Sequence, residues 1–177
     1  AAITQVDYCE LHRRHCDEVN IRGTENLLNA AVKHNSRFVF VSTDFVFNGR
    51  NGPYKEEDAP DPVNYYGESK LHAERLVMDS GLHWSVVRTV LVYGVGDQMR
   101  RSNSLLWAIN NLKNNIPLRV VDDQWRTPTL AEDLAEGCVQ VMLEQKGGLW
   151  HLSGEEMTTP YGLVRQIARH FDLNLGL

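Results

Sequence analysis

Apolar residues in the first part of the chain recur at helical spacing. Val19, Leu27, Leu28, Ala31 and Val32 lie on one face of residues 14–34, predicting a helix that stops at the basic, Asn-containing "KHNSR". The pattern then changes to "RFVFVSTDFVF", a run rich in Val and Phe that predicts a strand buried on both faces, as central parallel strands are. The next sixteen residues, "NGRNGPYKEEDAPDPV", are crowded with Gly, Asn, Asp and Pro and predict a loop. Loops that long are usually functional or disordered. A helix follows over Val63 to Asp79, with Gly81 placed to cap its end. Beyond it, "HWSVVRTVLVYG" reads as a strand, "NSLLWAINNLKNN" as a helix and "PLRVVDD" as a short strand. Thr129 and Glu132 form a capping-box pair ahead of a helix in "TLAEDLAEGCVQVMLEQ". "GGLWHLSG" is a final strand, and Thr159 followed by Pro160 opens a last helix through "YGLVRQIARHF".

Strand alternating with helix at this spacing predicts an α/β fold with a parallel sheet and right-handed crossovers. In such sheets ligands bind at the carboxyl ends of the strands, so the residues directly after each strand carry the information.

Composition narrows the partners. At 177 residues, 42% hydrophobic and 23% charged, the chain has the size and make-up of a globular domain. Its net charge of -5 and scattered basic residues argue against nucleic acid or an anionic membrane as the main partner. No apolar run reaches membrane-spanning length, and no signal peptide is evident. Three cysteines, Cys9, Cys16 and Cys138, fit a reducing compartment better than a disulfide framework, so a cytoplasmic location is expected. Cys9, His12, His15 and Cys16 could be read as a metal cluster. Four ligands within eight helical residues cannot converge on one tetrahedral centre, so a solvated helix and no metal are expected there.

Two strand ends carry chemistry. "VSTDF" ends an apolar strand with Ser42, Thr43 and Asp44, whose hydroxyls either bond a substrate carbonyl or satisfy local backbone. In "NYYGESKLHAERL", Tyr66 and Lys70 stand four apart on one helix face, where an ammonium would lower the phenol from about 10 toward neutrality. Tyr65 points roughly 100 degrees away and lacks that lysine. A tyrosine so placed can protonate a ketone oxygen while hydride arrives at carbon.

A strand ending in Ser-Thr, a long loop and then Tyr-x-x-x-Lys on the next helix resembles the extended short-chain dehydrogenase/reductase family. "AAITQVD", "NIRGTENLLNAA", "VVRTVLVYG" and "RTPTLAEDLA" agree in order and spacing. The chain looks most like the dTDP-4-dehydrorhamnose reductase branch, through "STDFVFNGRNGPYKEEDAPDPVNYYGESKLHAE" and "DDQWRTPTLAEDLA". The resemblance implies a Rossmann-type doubly wound sheet, NADP or NAD as cofactor and a nucleotide-sugar substrate; it leaves the oligomeric state open, a homodimer being one option because family members often pair through helices. It implies that Tyr66 protonates the keto oxygen, that Thr43 bonds the same oxygen, and that Lys70 holds the nicotinamide ribose and lowers the tyrosine's pKa. Ala1, Ala2, Thr89 and Val90 would lie beside the cofactor, with Tyr66 and Lys70. Val6, Asp44 and Phe45 would line the sugar pocket. Arg126, seven before Asp133, would take the nucleotide diphosphate, and Asn20 matches a position used in proton relay.

Nucleotide-sugar dehydratases follow the threonine with Asp-Glu, whereas this chain reads Asp44-Phe45, which favours reduction over elimination. An epimerase of nucleotide sugars, and a non-catalytic subunit like the regulatory subunit of methionine adenosyltransferase, are the alternative readings. Leu91 stands where the rhamnose-pathway reductases tend to have tryptophan. Nothing in residues 1–177 matches the Gly-rich pyrophosphate turn, so the first three strands and that turn are expected ahead of Ala1. On this reading residues 1–98 form the carboxyl-terminal half of the dinucleotide-binding domain, and residues 99–177 the substrate-binding region interleaved with its last elements.

Overall fold

The computed structural model describes residues 2–96, 103–143 and 147–174. Helix α1 spans Val6–Leu11 and α2 Arg13–Cys16, with a break at His12, whose φ of -129 and ψ of 51 leave the helical region. A π-helical segment, Asp17–Arg22, leads into α3, Gly23–Lys33. The single helix expected over residues 14–34 is therefore three windings in sequence. The wider π turn, a feature that recurs at functional sites, carries Asn20, which is 2% exposed. The Asn20 side chain accepts from the Ile3 N–H (2.8 Å) and donates to the Ile3 carbonyl (3.0 Å), holding the extended start of the chain as a strand partner would.

The remaining elements are β1 (Phe38–Thr43), a 3-10 turn (Asp44–Val46), α4 (Tyr65–Met78), β2 (Trp84–Thr89), β3 (Val92–Tyr93), α5 (Ser104–Lys113), β4 (Thr129–Leu130), α6 (Ala131–Leu143), β5 (Gly148–His151) and α7 (Pro160–His170). Strands β1, β2 and β5 form a parallel sheet in the order β1-β2-β5, and β3 pairs in parallel with β4. The α/β fold with a parallel sheet follows the alternation of the sequence.

Three local expectations are corrected. Strand β1 stops at Thr43, because the Thr43 hydroxyl accepts the Phe45 N–H (3.2 Å) and caps the 3-10 turn. It is not buried on both faces, since Val41 is 42% exposed. "HWSVVRTVLVYG" is two strands in different sheets, broken at Leu91, whose φ of 38 lies in the left-handed region. "PLRVVDD" forms no strand. Thr129 sits in β4, two residues before the start of α6, and its hydroxyl donates to the Val90 carbonyl (2.7 Å). At α7 the expectation holds, with the Thr159 hydroxyl accepting the Gly162 N–H (3.0 Å) and Pro160 in the first turn.

The chain divides into two compact units, Ala1–Thr89 with Glu136–Leu152, and Val90–Ala135 with Ser153–Leu177. In the first unit, Leu28, Val77 and Val86 form a core against Phe38, Phe40, Trp84 and Leu149, joining α3 and α4 to one face of the sheet. In the second, α5 packs on α7 and buries Ala108, Leu112, Ile167 and Ala168. Among the described residues no helix is long and apolar enough to cross a membrane.

Candidate active site

Helix α4 begins where it does because the Asn64 side chain accepts the Gly67 N–H (2.9 Å), meeting one of the unpaired donors of its first turn. Gly67 is there for proximity: a Cβ at that position would stand 2.2 Å from the Phe45 carbonyl oxygen. The helix thus rests directly on the turn that follows β1, and this brings the strand tip and the tyrosine together.

Tyr66 is 8% exposed. The Thr43 side chain is near enough to the phenol to lower its pKa, and the Phe45 ring meets it edge-on with centroids 5.7 Å apart. Cys9 and Cys16 are buried in the same cluster, with Ile3, Val6, Phe45 and Tyr65 packed against it. Of the sequence-predicted residues, the structure therefore gathers Thr43, Tyr66, Val6 and Phe45 in one place. Asp44 is also near, accepting from the Thr43 hydroxyl (3.2 Å) and acting electrostatically on Tyr66. Thr89 is the Cα partner of Thr43 across the sheet and is buried at the same strand level. Ala2 lies just before the Ile3 that Asn20 holds, and Ala1 falls outside the described residues. Val90 and Arg126 belong to the second unit. There Arg126 forms an antiparallel bridge with Thr158 and donates to Gln124 (3.2 Å).

The expected pKa of Tyr66 needs correction. Burial pushes the phenol up to about 12, against the nearby Thr43 hydroxyl, which lowers it, and with Asp44 adding to the rise. Lys70, four residues on, is turned elsewhere: its Nζ donates to the Val41 carbonyl (2.8 Å) and stands 3.9 Å from the centre of the Phe40 ring. Burial brings Lys70 itself down to about 8, with Glu74 pulling the other way. Tyr65 is equally high, at about 12, through burial and its hydrogen bonds to the Asp17 carboxylate (2.8 and 2.9 Å).

The helix expected to be solvated around Cys9 and Cys16 is also different. Both thiols are fully buried, while His12 and His15 are exposed and gather around Tyr8, whose hydroxyl lies 2.9 Å from His15 Nδ1. Asn20 donates to Ser69 Oγ (3.1 Å) as well as holding Ile3, tying the π turn to α4 and to the start of the chain.

Sequence reasoning missed an ion pair beside the site. Arg88 donates through Nε (3.0 Å) and Nη2 (2.7 Å) to Glu74, with side chains only 4% and 0% exposed. The signal was present: Glu74 continues the Tyr66, Lys70 face at the same four-residue interval. The long loop is also built in. Tyr54 stacks on Phe47 with centroids 4.3 Å apart, and Glu56 accepts the His151 N–H (2.8 Å) at the end of β5, which lowers the Glu56 carboxyl below its ordinary range.

A buried phenol, hydroxyl and ammonium at the carboxyl ends of parallel strands make a site able to donate a proton and to bond an oxygen ligand. Comparison with known proteins gives the family. The chain is 35% identical over 168 residues to dTDP-4-dehydrorhamnose reductase of Aggregatibacter actinomycetemcomitans, covering 91% of this chain and 56% of the relative. It is 32% identical over 178 residues to methionine adenosyltransferase 2 subunit beta of Bos taurus, covering 98% and 53%. The crystal structure of dTDP-4-dehydrorhamnose reductase from Bacillus anthracis in complex with NADP superposes with a TM-score of 0.92 at 28% identity, over 98% of this chain and 61% of that one. The chain spans about half the length of the curated relatives it matches. The RmlD substrate binding domain matches residues 1–175, and the chain belongs to that family.

Proposed function

We propose that this chain carries the catalytic residues of an NAD(P)H-dependent reductase acting on a nucleotide-activated 4-keto-6-deoxy sugar, in the reducing setting of the cytoplasm. The observation that carries the reading is that Tyr66 is buried beside Thr43 at the tip of β1, with Lys70 one helical turn along. Tyr66, protonated throughout the neutral range, is the acid that delivers a proton to the sugar's keto oxygen. Thr43 bonds the same oxygen and fixes its distance from the phenol. Val6 and Phe45 exclude water from one side of the ring.

The donor set fits the nicotinamide end of the cofactor. Lys70 has three N–H donors and gives one to Val41, which leaves the ammonium able to hold ribose hydroxyls. Ser42 Oγ, close by in sequence, is buried without a hydrogen-bond partner. Bound NADPH would supply the hydride. The first unit is read as the cofactor-binding and catalytic half, and the second, with Arg126, as the part that takes the nucleotide diphosphate. The test is to mix full-length protein with NADPH and dTDP-4-dehydro-6-deoxy-L-mannose and follow nicotinamide absorbance. Oxidation is expected in the wild type and not in Tyr66→Phe; absence of turnover with this sugar and its relatives overturns the reading.

The identity to methionine adenosyltransferase 2 subunit beta favours a second reading, a regulatory subunit that docks on a methionine adenosyltransferase. Stoichiometric co-purification with that enzyme and no turnover of any keto sugar would select it.

A further inference from the structure

We propose that Phe40 is a positioning residue for Lys70: the face of its ring holds the buried ammonium against β1 and stabilises its charge, leaving the other N–H donors for the cofactor ribose. The last clause rests on the reading of Lys70 as the ribose-binding group.

Lys70 is 5% exposed, so water does little to solvate its charge. Among the described residues no carboxylate lies within ion-pair distance of it. Two groups of β1 meet the ammonium instead. The Val41 carbonyl accepts one N–H (2.8 Å), and the centre of the Phe40 ring stands 3.9 Å from Nζ. An aromatic face attracts a cation within about 6 Å of its centre, and the attraction strengthens where water is excluded. Phe40 is itself fixed, packing against the core of Leu28, Val77 and Val86. It stands three residues before Thr43 on β1, and Lys70 stands one turn after Tyr66 on α4. The ring contact therefore joins the same two elements that bring Thr43 and Tyr66 together.

The other ionisable groups of this layer are engaged or exposed. Strand β1 carries none. On α4, Glu74 is bonded to Arg88 of β2, and Glu68, His72 and Arg75 are exposed. Tyr66 is protonated, Asp44 of the 3-10 turn acts on Tyr66, and Cys9 and Cys16 of the amino-terminal helices share its cluster. Asp17 of the π-helical segment is bonded to Tyr65, and Glu25 and Lys33 of α3 are exposed. Glu74 favours the Lys70 charge from one turn away, and a change at Phe40 leaves that influence in place. Phe40 and Val41 are the groups in contact, and of the two only the ring can be altered by substitution.

Phe40→Leu would also open the core, so the test changes the ring's electrostatics and keeps its shape. Phenylalanines bearing one, two and three ring fluorines are placed at position 40 of the full-length protein, each fluorine drawing negative charge from the ring face. The readout is the Lys70 side chain, titrated by NMR with 13C-labelled lysine and assigned by the loss of its resonance in Lys70→Arg. The proposal expects the Lys70 midpoint to fall step by step along the series, by about half to one pH unit in all, a roughly three- to tenfold loss of proton affinity. It also expects the alkaline loss of NADPH affinity, measured by direct binding, to move to lower pH with it. An unchanged midpoint across the series would overturn the proposal, because a ring that only packs leaves the lysine's titration in place. If the midpoint falls while the pH profile of NADPH binding stays where it was, Phe40's hold on Lys70 stands and the reading of Lys70 as the ribose-binding group fails.

Discussion

A phenol pushed up to about 12 stays protonated at neutral pH, which suits Tyr66 to give a proton rather than take one. Tyr66→Phe keeps the buried ring, so it should fold normally and lose about 10²- to 10⁴-fold in reduction rate, as removal of a general acid does. Tyr65→Phe is expected to do the reverse. It leaves the Asp17 carboxylate without its phenol donor, costing about 1–2 kcal/mol in urea unfolding while reduction persists. Equal losses of activity from both would mean that the catalytic phenol has been misassigned. Lys70 supplies a pH dependence. Its proton is held more weakly in the folded chain, with a pKa of about 8 against 10.5, so NADPH affinity should fall as pH rises through about 8. The same shift has a sign for stability: between about 8 and 10.5 the unfolded chain binds the extra proton, so this group's contribution to stability increases with pH. Comparing urea midpoints of wild type and Lys70→Met across that range should show the wild type gaining on the variant.

At the scale of single elements, α4 depends on its first turn. Gly67→Ala would drive a methyl group into the Phe45 carbonyl, which neither the helix nor the turn can yield easily, and should destabilise by about 3 kcal/mol or separate Tyr66 from Thr43. Asn64→Ala should cost about 1 kcal/mol through loss of the cap, read as a lower thermal midpoint. These two residues also mark the boundary of what was legible. Helical spacing found α4 and separated Tyr66 from Tyr65, and the Thr-Pro pair found the start of α7, because each rests on contacts within a few residues. The reason for a glycine at position 67 lies in the Phe45 carbonyl, twenty-two positions earlier, and no local pattern reports it. The break at Leu91 and the absence of a strand in "PLRVVDD" are likewise settled by which strand finds a partner. The lowered phenol expected from Tyr-x-x-x-Lys spacing failed for a related reason: spacing fixes the face that Lys70 occupies, while Phe40 and Val41 decide where its ammonium rests.

For the molecule as a whole, the parallel order β1-β2-β5 sets Thr43, Thr89 and His151 at the carboxyl ends of adjoining strands, the end at which such sheets bind ligands. Membership of the RmlD substrate binding domain family places the chain among sequences that include both a reductase and a subunit of another enzyme. What separates those outcomes is whether hydride reaches a sugar with Tyr66 as the acid. The most direct measurement gives full-length protein NADPH deuterated at the nicotinamide C4, together with dTDP-4-dehydro-6-deoxy-L-mannose, and weighs the sugar product by mass spectrometry. The account predicts one deuterium per product sugar, formed with stoichiometric loss of NADPH and abolished in Tyr66→Phe. Product sugar without deuterium, or deuterium transfer that survives in Tyr66→Phe, would contradict it.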